Sequence, residues 1–485
     1  MTSRMIGLAL GPLAFGLTLI APAPAGMAGE AWLVAGLVAW MAAWWMTEAV
    51  PLPVTALLPF VWLPLGGVMS ARETASAYYA PILFLLLGGA FIALAIERTG
   101  LHRRLSLAIL RVIGSDGGQG RLLLAFMVSA AVLSMLISNT STALIMMPMA
   151  LAVLQGGGGA LARPDAPGVI PPTHGLYGAL VMGIAFAASI GGLGTIVGSP
   201  TNGIAVQLLD DMIGLEISFA AWMALGLPVV MVGVPLAAFI IARVQRVAAH
   251  DFDLVAARAA IDDHSPWTLA QKRLVPIIAL TFIAWMTRRW VAPFLPEDSW
   301  TDGTIAVIAA LSLFLIPDGS RENGRSRPLL TWREADRAPW GVILMFGGGL
   351  ALASGMQASG LATWLGNALL PLEAVPLFLI GLAIVAMVIL VTEFASNVAT
   401  ASAIIPVVAS LAAALGLGPD AILIAMPAAL AASWGFILPA GTGPNAIAWA
   451  TGHLTIGKLV RAGLVLDLVG VFLIVGLVWA VAAIG

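Results

Sequence analysis

The chain has 485 residues, of which 60% are hydrophobic and 9% charged, and its mean hydropathy is +1.02. Soluble globular domains carry about 25% charged residues, so this composition excludes a water-soluble fold and predicts a protein that resides in lipid. The net charge of -2 gives no reason to expect nucleic acid as a partner, and the absence of cysteine excludes disulfides, thiolate metal sites and cysteine nucleophiles.

The first apolar segment, residues 5–20, has Arg4 ahead of it and an Ala-Pro run at 21–25 after it. This pattern is shared by removable signal peptides and by retained first membrane helices. We expect the retained helix, because an integral membrane protein needs no removable signal.

Apolar runs between charged or turn-rich breaks predict eleven membrane-spanning helices, each of which takes about 20 residues. The runs are 5–21, 31–48, 50–68, 81–98, 176–210, 219–242, 274–291, 303–316, 339–356, 421–451 and 458–483. Two further stretches, 122–155 and 375–416, are too long for one span and too short for two. A hairpin that enters and leaves on the same membrane face fits these lengths. We therefore expect an all-α polytopic membrane protein with eleven transmembrane helices and two re-entrant hairpins.

Short polar runs, Ser138-Asn139-Thr140 and Ser396-Asn397-Val398, interrupt the two hairpin stretches and lie 258 residues apart. Each is followed by a segment broken by Gly and Pro, GSPTN at 198–202 and GTGPN at 441–445, and these lie 243 residues apart. Two copies of one interrupted apolar pattern are typical of a transporter built from repeats, with its ligand between them.

An apolar helix that opens with Ala-Pro precedes each hairpin, at 80–81 and at 338–339. These helices mark the start of each repeat and divide the chain into four parts. The parts are N-terminal scaffold helices (1–79), a first repeat (80–242, with hairpin 122–155 and broken helix 176–210), cytoplasmic loops and linking helices (243–337), and a second repeat (338–485, with hairpin 375–416 and broken helix 421–451). Within the third part, the most polar stretches, about 243–273 and 317–337, are predicted to be cytoplasmic loops.

Basic residues predict the orientation, because cytoplasmic loops collect Lys and Arg. The connector between opening helix and hairpin carries five arginines in the first repeat and no Lys or Arg in the second, so we expect inverted repeats. With the N-terminus inside, 19 of the 22 basic residues fall on the cytoplasmic face, and only Arg72, Arg288 and Arg289 do not. The expected location is a bacterial inner (plasma) membrane, with the N-terminus cytoplasmic and the C-terminus outside.

The residue types in the polar runs and breaks suit an anion and a small cation together. Helix N-termini offer N–H donors and partial positive charge to an anion, whereas unwound carbonyls, hydroxyls and Asn oxygens suit a hard cation. Such residues also simply join helices in membranes, but two symmetric Ser-Asn pairs, each followed by a break, favour a binding site. Residues 122–154 and 376–415 contain no Lys, Arg or His, so a bound divalent anion needs a co-bound cation.

Other chemistry has less support. Glu48, Glu393 and Asp467 lie in apolar surroundings and are candidate proton sites. The five histidines never pair at a metal-ligand spacing, which argues against a metal enzyme. No GxxxxGK phosphate loop is present, so ATP-driven transport is not indicated.

These motifs resemble the divalent anion/sodium symporter family, membrane carriers of dicarboxylates, citrate and sulfate. The matching segments, in the same order along nearly the whole chain, are Trp44 to Thr55, Ser138-Asn139-Thr140, Gly191 to Asn202, Thr392 to Thr400 and Gly441 to Ile447. The resemblance implies a homodimer in which a transport domain moves against a scaffold by an elevator mechanism, with the site near the membrane midplane.

The resemblance also implies the ligands. A first sodium site would use Ser134, Ser138, Asn139 and Gly198, and a second would use Thr392, Ala395, Asn397 and Gly441. Carboxylates of the substrate would contact Asn139, Thr140, Ser199, Asn397 and Thr442, in a site completed by Ser138, Ser396, Val398 and Gly443. Many family members have Thr in place of Val398, and Pro is usual in place of Gly443.

The expected function is sodium-coupled symport of a divalent anion, with a C4-dicarboxylate such as succinate, malate or fumarate as the leading substrate. The alternatives are sodium-independent dicarboxylate exchange on the same fold, sodium-coupled citrate or sulfate transport, and a passive anion channel. An intramembrane enzyme would need a nucleophile or metal constellation that this sequence does not contain. The expected partners are the anion, the lipid bilayer and a second copy of the chain.

Overall fold

A computed structural model describes residues 3–114, 118–157, 172–247, 253, 255, 265–322 and 324–484. Much of the expected cytoplasmic loop 243–273 therefore lies outside the described residues. Within the described part, nine helices are long and apolar enough to cross a membrane. The chain is mostly helical, as its composition predicts.

Seven helices precede the first hairpin in the described structure, and of these α1, α3 and α4 pack against α2. They are α1 (Ser3–Ile20), α2 (Gly29–Thr47), α3 (Leu52–Thr55), α4 (Leu58–Leu65), α5 (Ala71–Ala77), α6 (Ile82–Thr99) and α7 (Leu101–Gly114). The run 50–68, expected as one span, is split into α3 and α4, because prolines at 51, 53, 59 and 64 have no N–H for a continuous ladder. Glu48 ends α2 in the left-handed conformation, at φ 46°.

A helical hairpin and a broken helix form the core of the first repeat. The helices are α8 (Gln119–Ser134), α9 (Asn139–Gly157), α10 (Leu176–Gly191), α11 (Pro200–Ile213) and α12 (Phe219–Gln245). The hairpin α8–α9 packs against α10, and α12 packs against α8 and α10. A Cβ on Gly191 would lie 2.4 Å from the carbonyl oxygen of Ala131, so only glycine permits this approach of α10 to α8.

The linking region is not all-α, contrary to the prediction. It contains α13 (Leu269–Val291), α14 (Asp302–Leu315), strands β1 (Pro317–Glu322) and β2 (Arg325–Pro328), and α15 (Trp332–Ala335). The strands pair antiparallel, and Gly319 and Gly324 adopt the positive φ that this tight ribbon requires. Polar residues alone had indicated a loop here.

The second repeat has the same order of elements as the run from α6 to α12. They are α16 (Trp340–Ala358), α17 (Leu361–Leu369), α18 (Leu377–Phe394), α19 (Asn397–Ala414), α20 (Ile422–Ala431), α21 (Gly443–Ala450) and α22 (Ile456–Ala482). The hairpin α18–α19 packs against α20, as α8–α9 packs against α10. The second halves of the broken helices cross over, so that α11 contacts α19 and α21 contacts α9.

The long apolar helices do not correspond one to one with the eleven expected spans. Three of the nine in the described residues, α9, α18 and α19, are halves of the hairpins. Shorter apolar helices stand at the expected spans 5–21, 50–68, 303–316 and 421–451. The number of membrane crossings stays a prediction.

Candidate functional site

A cavity of about 830 Å³ lies between the polar runs and Gly/Pro breaks of both repeats and the helices α2, α6 and α16. All the residues predicted to contact substrate line it. They are Ser138, Asn139, Thr140, Ser199, Ser396, Asn397, Val398, Thr442 and Gly443. The rest of the wall includes the C-terminal end of α2, one side of α6 from residue 86 to 97, and the first turn of α16. The fold therefore brings together two polar runs that are 258 residues apart in sequence.

Four helices begin at this cavity. They start at Asn139 (α9), Pro200 (α11), Asn397 (α19) and Gly443 (α21). Each N-terminus directs free N–H groups and partial positive charge toward the same space. The arrangement suits an anion, although the polar runs and breaks at these N-termini contain no basic side chain.

The serine of each polar run is a helix N-cap. Ser138 Oγ accepts a hydrogen bond from the N–H of Ser141 at 3.2 Å, and Ser396 Oγ accepts one from the N–H of Ala399 at 3.2 Å. Thr442 Oγ1 caps α21 in the same way, by accepting from the N–H of Asn445 at 3.2 Å. The two serine caps fix where α9 and α19 begin and leave Asn139 and Asn397 as the first residues of these helices.

Oxygen atoms cluster around the Asn139 side chain. With its amide nitrogen turned inward, Asn139 donates to Ser134 Oγ at 2.7 Å and lies 3.2 Å from the carbonyl oxygens of both Ala188 and Gly198. Ser134 Oγ in turn donates to the carbonyl oxygen of Ala188 at 2.6 Å. Convergent hydroxyl and carbonyl oxygens of this kind suit either an amide nitrogen or a small hard cation.

The second repeat reproduces this cluster. Thr392 Oγ1 lies 2.9 Å from Asn397 Oδ1 and 2.7 Å from the carbonyl oxygen of Ala432. Ala188 and Ala432 were not among the predicted cation ligands. They occupy matching places, on α10 and just after α20. They act through main-chain carbonyls, so their residue type gives no signal.

Three other predicted cation ligands occupy different positions. The Ser138 hydroxyl also donates to Ser141 Oγ at 3.0 Å, within the first turn of α9. Ala395 and Gly441 line the cavity and contribute main-chain atoms to its wall. The structure therefore draws Ser134, Asn139 and Gly198 into one cluster, and Thr392 and Asn397 into the other.

Each Gly/Pro break ends in an asparagine, and the side chain of this asparagine stabilises the unwound backbone. Asn202 Nδ2 donates to the carbonyl oxygens of Gly192 at 2.7 Å and Thr195 at 2.8 Å. Asn445 Nδ2 donates to the carbonyl oxygen of Leu438 at 3.2 Å. A carbonyl without a partner would cost several kcal/mol in an apolar environment, so these asparagines keep the breaks folded.

Side chains also join the two repeats directly. Thr201 Oγ1 lies 2.6 Å from Ser433 Oγ, and Ser199 Oγ lies 2.7 Å from Thr201 Oγ1. Ser199 is only 3% exposed, so its hydroxyl belongs to this buried cluster as well as to the cavity wall. The broken helices of both repeats therefore form one hydrogen-bonded unit.

Glu393 has a defined structural contact. Its Oε1 accepts from the N–H of Ile437 at 2.9 Å, and its Oε2 accepts from the N–H of Leu438 at 3.0 Å. The carboxylate thus holds the unwound segment between α20 and α21. Asp467, on α22, is 4% exposed and its carboxyl lies against Glu393. Glu48, the third candidate acid, lines the cavity.

Ionisable residues on the cavity wall are few. They are Glu48, Glu97, Arg337 and Glu393. Arg337 Nη2 lies 3.5 Å from Glu97 Oε1, and the Arg337 side chain is 67% exposed. Among the described residues, no group of three or more His, Asp or Glu is placed to hold a metal ion.

These features define the class of the molecule, which is a multi-pass membrane transporter. The family model for the sodium:sulfate symporter transmembrane region matches residues 3–484, and the chain belongs to this family. Membership confirms the predicted family resemblance and the prediction of a sodium-coupled divalent-anion transporter. It also excludes the intramembrane enzyme.

Two curated relatives are similar over nearly the whole chain. A sodium-dependent dicarboxylate transporter, SdcS, of Staphylococcus saprophyticus is 37% identical over 489 residues, which cover 98% of this chain and 91% of the relative. SdcS of Staphylococcus aureus strain MRSA252 is 37% identical over 484 residues, covering 99% and 91%. The crystal structure of the Alcanivorax borkumensis YdaH transporter matches with a TM-score of 0.52 at 16% identity, covering 100% of this chain and 99% of that one. This last likeness shows the fold alone.

Proposed function

We propose that this protein imports a C4-dicarboxylate, such as succinate, malate or fumarate, together with sodium ions. The observation that carries the proposal is the convergence of four helix N-termini and two oxygen clusters on one cavity. The two relatives that are 37% identical bear the name of sodium-dependent dicarboxylate transporters, which favours this substrate class.

The proposed roles follow from the charges. The N-termini of α9, α11, α19 and α21 offset part of the substrate's negative charge, and sodium ions in the oxygen clusters offset the rest. Asn139 and Asn397 belong to both sites, because each amide has a carbonyl oxygen for a cation and an N–H group for an anion. For Asn139, cation binding turns the amide over, so that its oxygen replaces the nitrogen that donates to Ser134. Substrate affinity therefore depends on sodium, which couples the two fluxes.

The division of donors between the repeats favours a dicarboxylate over sulfate. Each hairpin tip presents its own polar run and its own helix N-termini to the cavity. Two separate sets of donors match two carboxylates at the ends of a short carbon chain. Sulfate is a single compact centre and would use only one set fully.

We further propose that the cavity opens to the cytoplasm. Arg337 and Glu97 lie at its exposed end, beside Arg98 at the end of α6. This is the face that collects most basic residues of the chain when the N-terminus is inside. The state is then inward-facing.

The movement and assembly that the family resemblance implies are also part of the proposal. The hairpins and broken helices, which are hydrogen-bonded across the repeats, would move as one transport domain. The helices α1 to α6 with α13, α14 and α16 would form the scaffold, and two copies would assemble through their scaffolds.

Uptake of labelled succinate into proteoliposomes tests the proposal. Wild-type protein should accumulate succinate with an inward sodium gradient and should fail with potassium or choline. Asn139→Ala and Asn397→Ala should each lower sodium-dependent uptake at least about 100-fold, because each removes a group shared by anion and cation (~3 kcal/mol). Asn367→Ala, an exposed asparagine on α17, is the matched control and should transport normally.

Other results would support the alternatives. Counterflow of succinate without sodium would show an exchanger, and flux that never exceeds the substrate gradient would show a channel. Preferred accumulation of citrate or sulfate would reassign the substrate. Normal uptake by both asparagine variants would contradict the site itself.

A further inference from the structure

The two repeats hold their unwound segments by different chemistry. In the first repeat a neutral hydroxyl does this: Thr195 Oγ1 donates to the carbonyl oxygen of Met135 at 2.7 Å and accepts from the N–H of Gly198 at 3.0 Å. In the second repeat a carboxylate, Glu393, accepts both N–H groups of Ile437 and Leu438. Met135 occupies the position that matches Glu393, so the first repeat has no carboxylate there.

Glu393 is a neighbour of the second oxygen cluster, since a Cβ built on Gly435 would also be 3.0 Å from Thr392 Cγ2. It follows Thr392, whose hydroxyl belongs to that cluster. A Cβ built on Gly441 would be 3.6 Å from Glu393 Oε2, and one built on Gly435 would be 3.1 Å from Oε1. Glu393 is 3% exposed, so bulk water screens its charge weakly.

Among the described residues, Glu393 has no basic ion-pair partner, and Arg337, which lines the same cavity, pairs with Glu97. The elements packed against α18 are α19, α20 and α22. Of these, only α22 carries basic residues, Lys458 and Arg461. Lys458 Nζ donates to the carbonyl oxygen of Thr173 at 3.0 Å, and Arg461 is exposed. The group that meets Glu393 on α22 is another acid, Asp467.

We propose that Glu393 places a fixed negative charge beside the second cation cluster, so that the two clusters differ in affinity and the second binds sodium more tightly. Glu393 is a positioning residue, since it acts on the cation through its charge and through the backbone of Ile437 and Leu438. The inference rests on the proposed function, because it assumes that both clusters bind sodium.

Glu393→Gln tests the proposal by removing the charge while keeping the size of the side chain. The sodium concentration for half-maximal succinate uptake should rise roughly tenfold or more, the scale expected for a unit charge near a weakly screened cation. The maximal rate at saturating sodium should stay within about twofold, since the substrate contacts are intact. Thermal stabilisation of the detergent-purified protein by sodium chloride, with choline chloride as reference, should shift to higher sodium by the same factor.

Asp467→Asn is the matched control. The asparagine keeps the shape of Asp467 and offers an N–H donor to Glu393, so the Glu393 charge remains. Its half-saturating sodium concentration should stay within about twofold of wild type. Glu393→Asp retains a carboxylate and should bind sodium better than Glu393→Gln, which keeps the test valid if the glutamine variant folds poorly.

Several outcomes would overturn the inference. A lower maximal rate in Glu393→Gln with unchanged half-saturating sodium would show a structural role only. An equal loss of sodium affinity in Asp467→Asn would show that the charge that attracts sodium does not belong to Glu393 alone. Wild-type uptake without sodium dependence would overturn the proposed function, and this inference with it.

Discussion

At the scale of single residues, Gly443 and Thr140 show how closely the two repeats approach at the cavity. A Cβ on Gly443 would lie 2.4 Å from Thr140 Oγ1, well inside contact distance. Thr140 belongs to the first polar run and Gly443 to the second break. The glycine therefore leaves room for a hydroxyl that is proposed to contact the substrate.

Gly443→Ala should displace Thr140 and weaken substrate binding. We expect the succinate KM at saturating sodium to rise about three- to tenfold, corresponding to roughly 1 kcal/mol of overpacking, with a smaller change in maximal rate. Initial rates of uptake in proteoliposomes measure this change.

The double variant Gly443→Ala with Thr140→Ala separates this cause from a general distortion. Because the displaced hydroxyl is already absent, the double variant should transport no worse than Thr140→Ala alone. Additive losses would show that Gly443 acts independently of Thr140.

At the scale of secondary-structure elements, the β1–β2 ribbon holds the C-terminal end of α6. Arg98 contacts Asp318 on β1 and lies 3.0 Å from Glu334 Oε1 on α15. Burial alone would raise the pKa of Asp318, but hydrogen bonds from the Ser320 hydroxyl and N–H, with the charge of Arg98, outweigh it and hold the pKa below its ordinary value. A depressed carboxyl pKa means that the charged form stabilises the folded state.

Asp318→Asn should lower the thermal unfolding temperature of the purified protein by about 2 to 4 °C at pH 7, because a charged acceptor for Arg98 is lost. The stabilisation by Asp318 is fully present above the unfolded pKa of about 3.9 and is lost as the pH falls through the lower folded pKa. The gap between wild type and variant should therefore stay constant from pH 8 to 5. A gap that closes within this range would contradict the depressed pKa.

Ser320→Ala is a milder control in the same ribbon. It removes the hydroxyl donor to Asp318 but leaves Arg98 and the Ser320 N–H in place. Its unfolding temperature should lie between those of wild type and Asp318→Asn.

At the scale of the whole molecule, the proposed mechanism requires one side of the cavity wall to move while the other side stays fixed in the membrane. The polar runs and breaks form one side, and residues of α2, α6 and α16 form the other, among them Val342. A change of access requires these sides to slide past each other, so reagents should reach Val342 from one membrane face at a time.

The chain has no cysteine, so single-cysteine variants test access directly. Val342→Cys should react with a membrane-impermeant maleimide from the cytoplasmic face only, and sodium with succinate should slow the reaction several-fold. Ser76→Cys, exposed on α5 near Arg72, should react from the outside. Labelling of Val342→Cys from the outside in the absence of substrate would contradict the inward-facing assignment.

Much of the architecture could be predicted because it is encoded locally. Apolar runs identify most long helices, and the repeated polar runs and Gly/Pro breaks identify the residues that line the cavity. The polar composition of 317–328 predicted a loop, and this prediction was wrong. The two strands there pair across a tight turn, and Arg98 from a distant helix contacts both of them. Sequence analysis also joined α3 and α4, where the prolines outweigh the apolar pattern.

The sequence by itself predicted that the protein resides in lipid, that its motifs occur twice, and which residue types line the site. Each of these follows from composition or from the order of motifs along the chain. Only the tertiary structure decided that Ala188 and Ala432 supply carbonyl oxygens and that Glu393 holds the segment at 437–438. The physical reason is that these interactions use main-chain atoms or join residues more than 40 positions apart. Such contacts depend on how helices pack, and an alanine carbonyl leaves no trace in the identity of its residue.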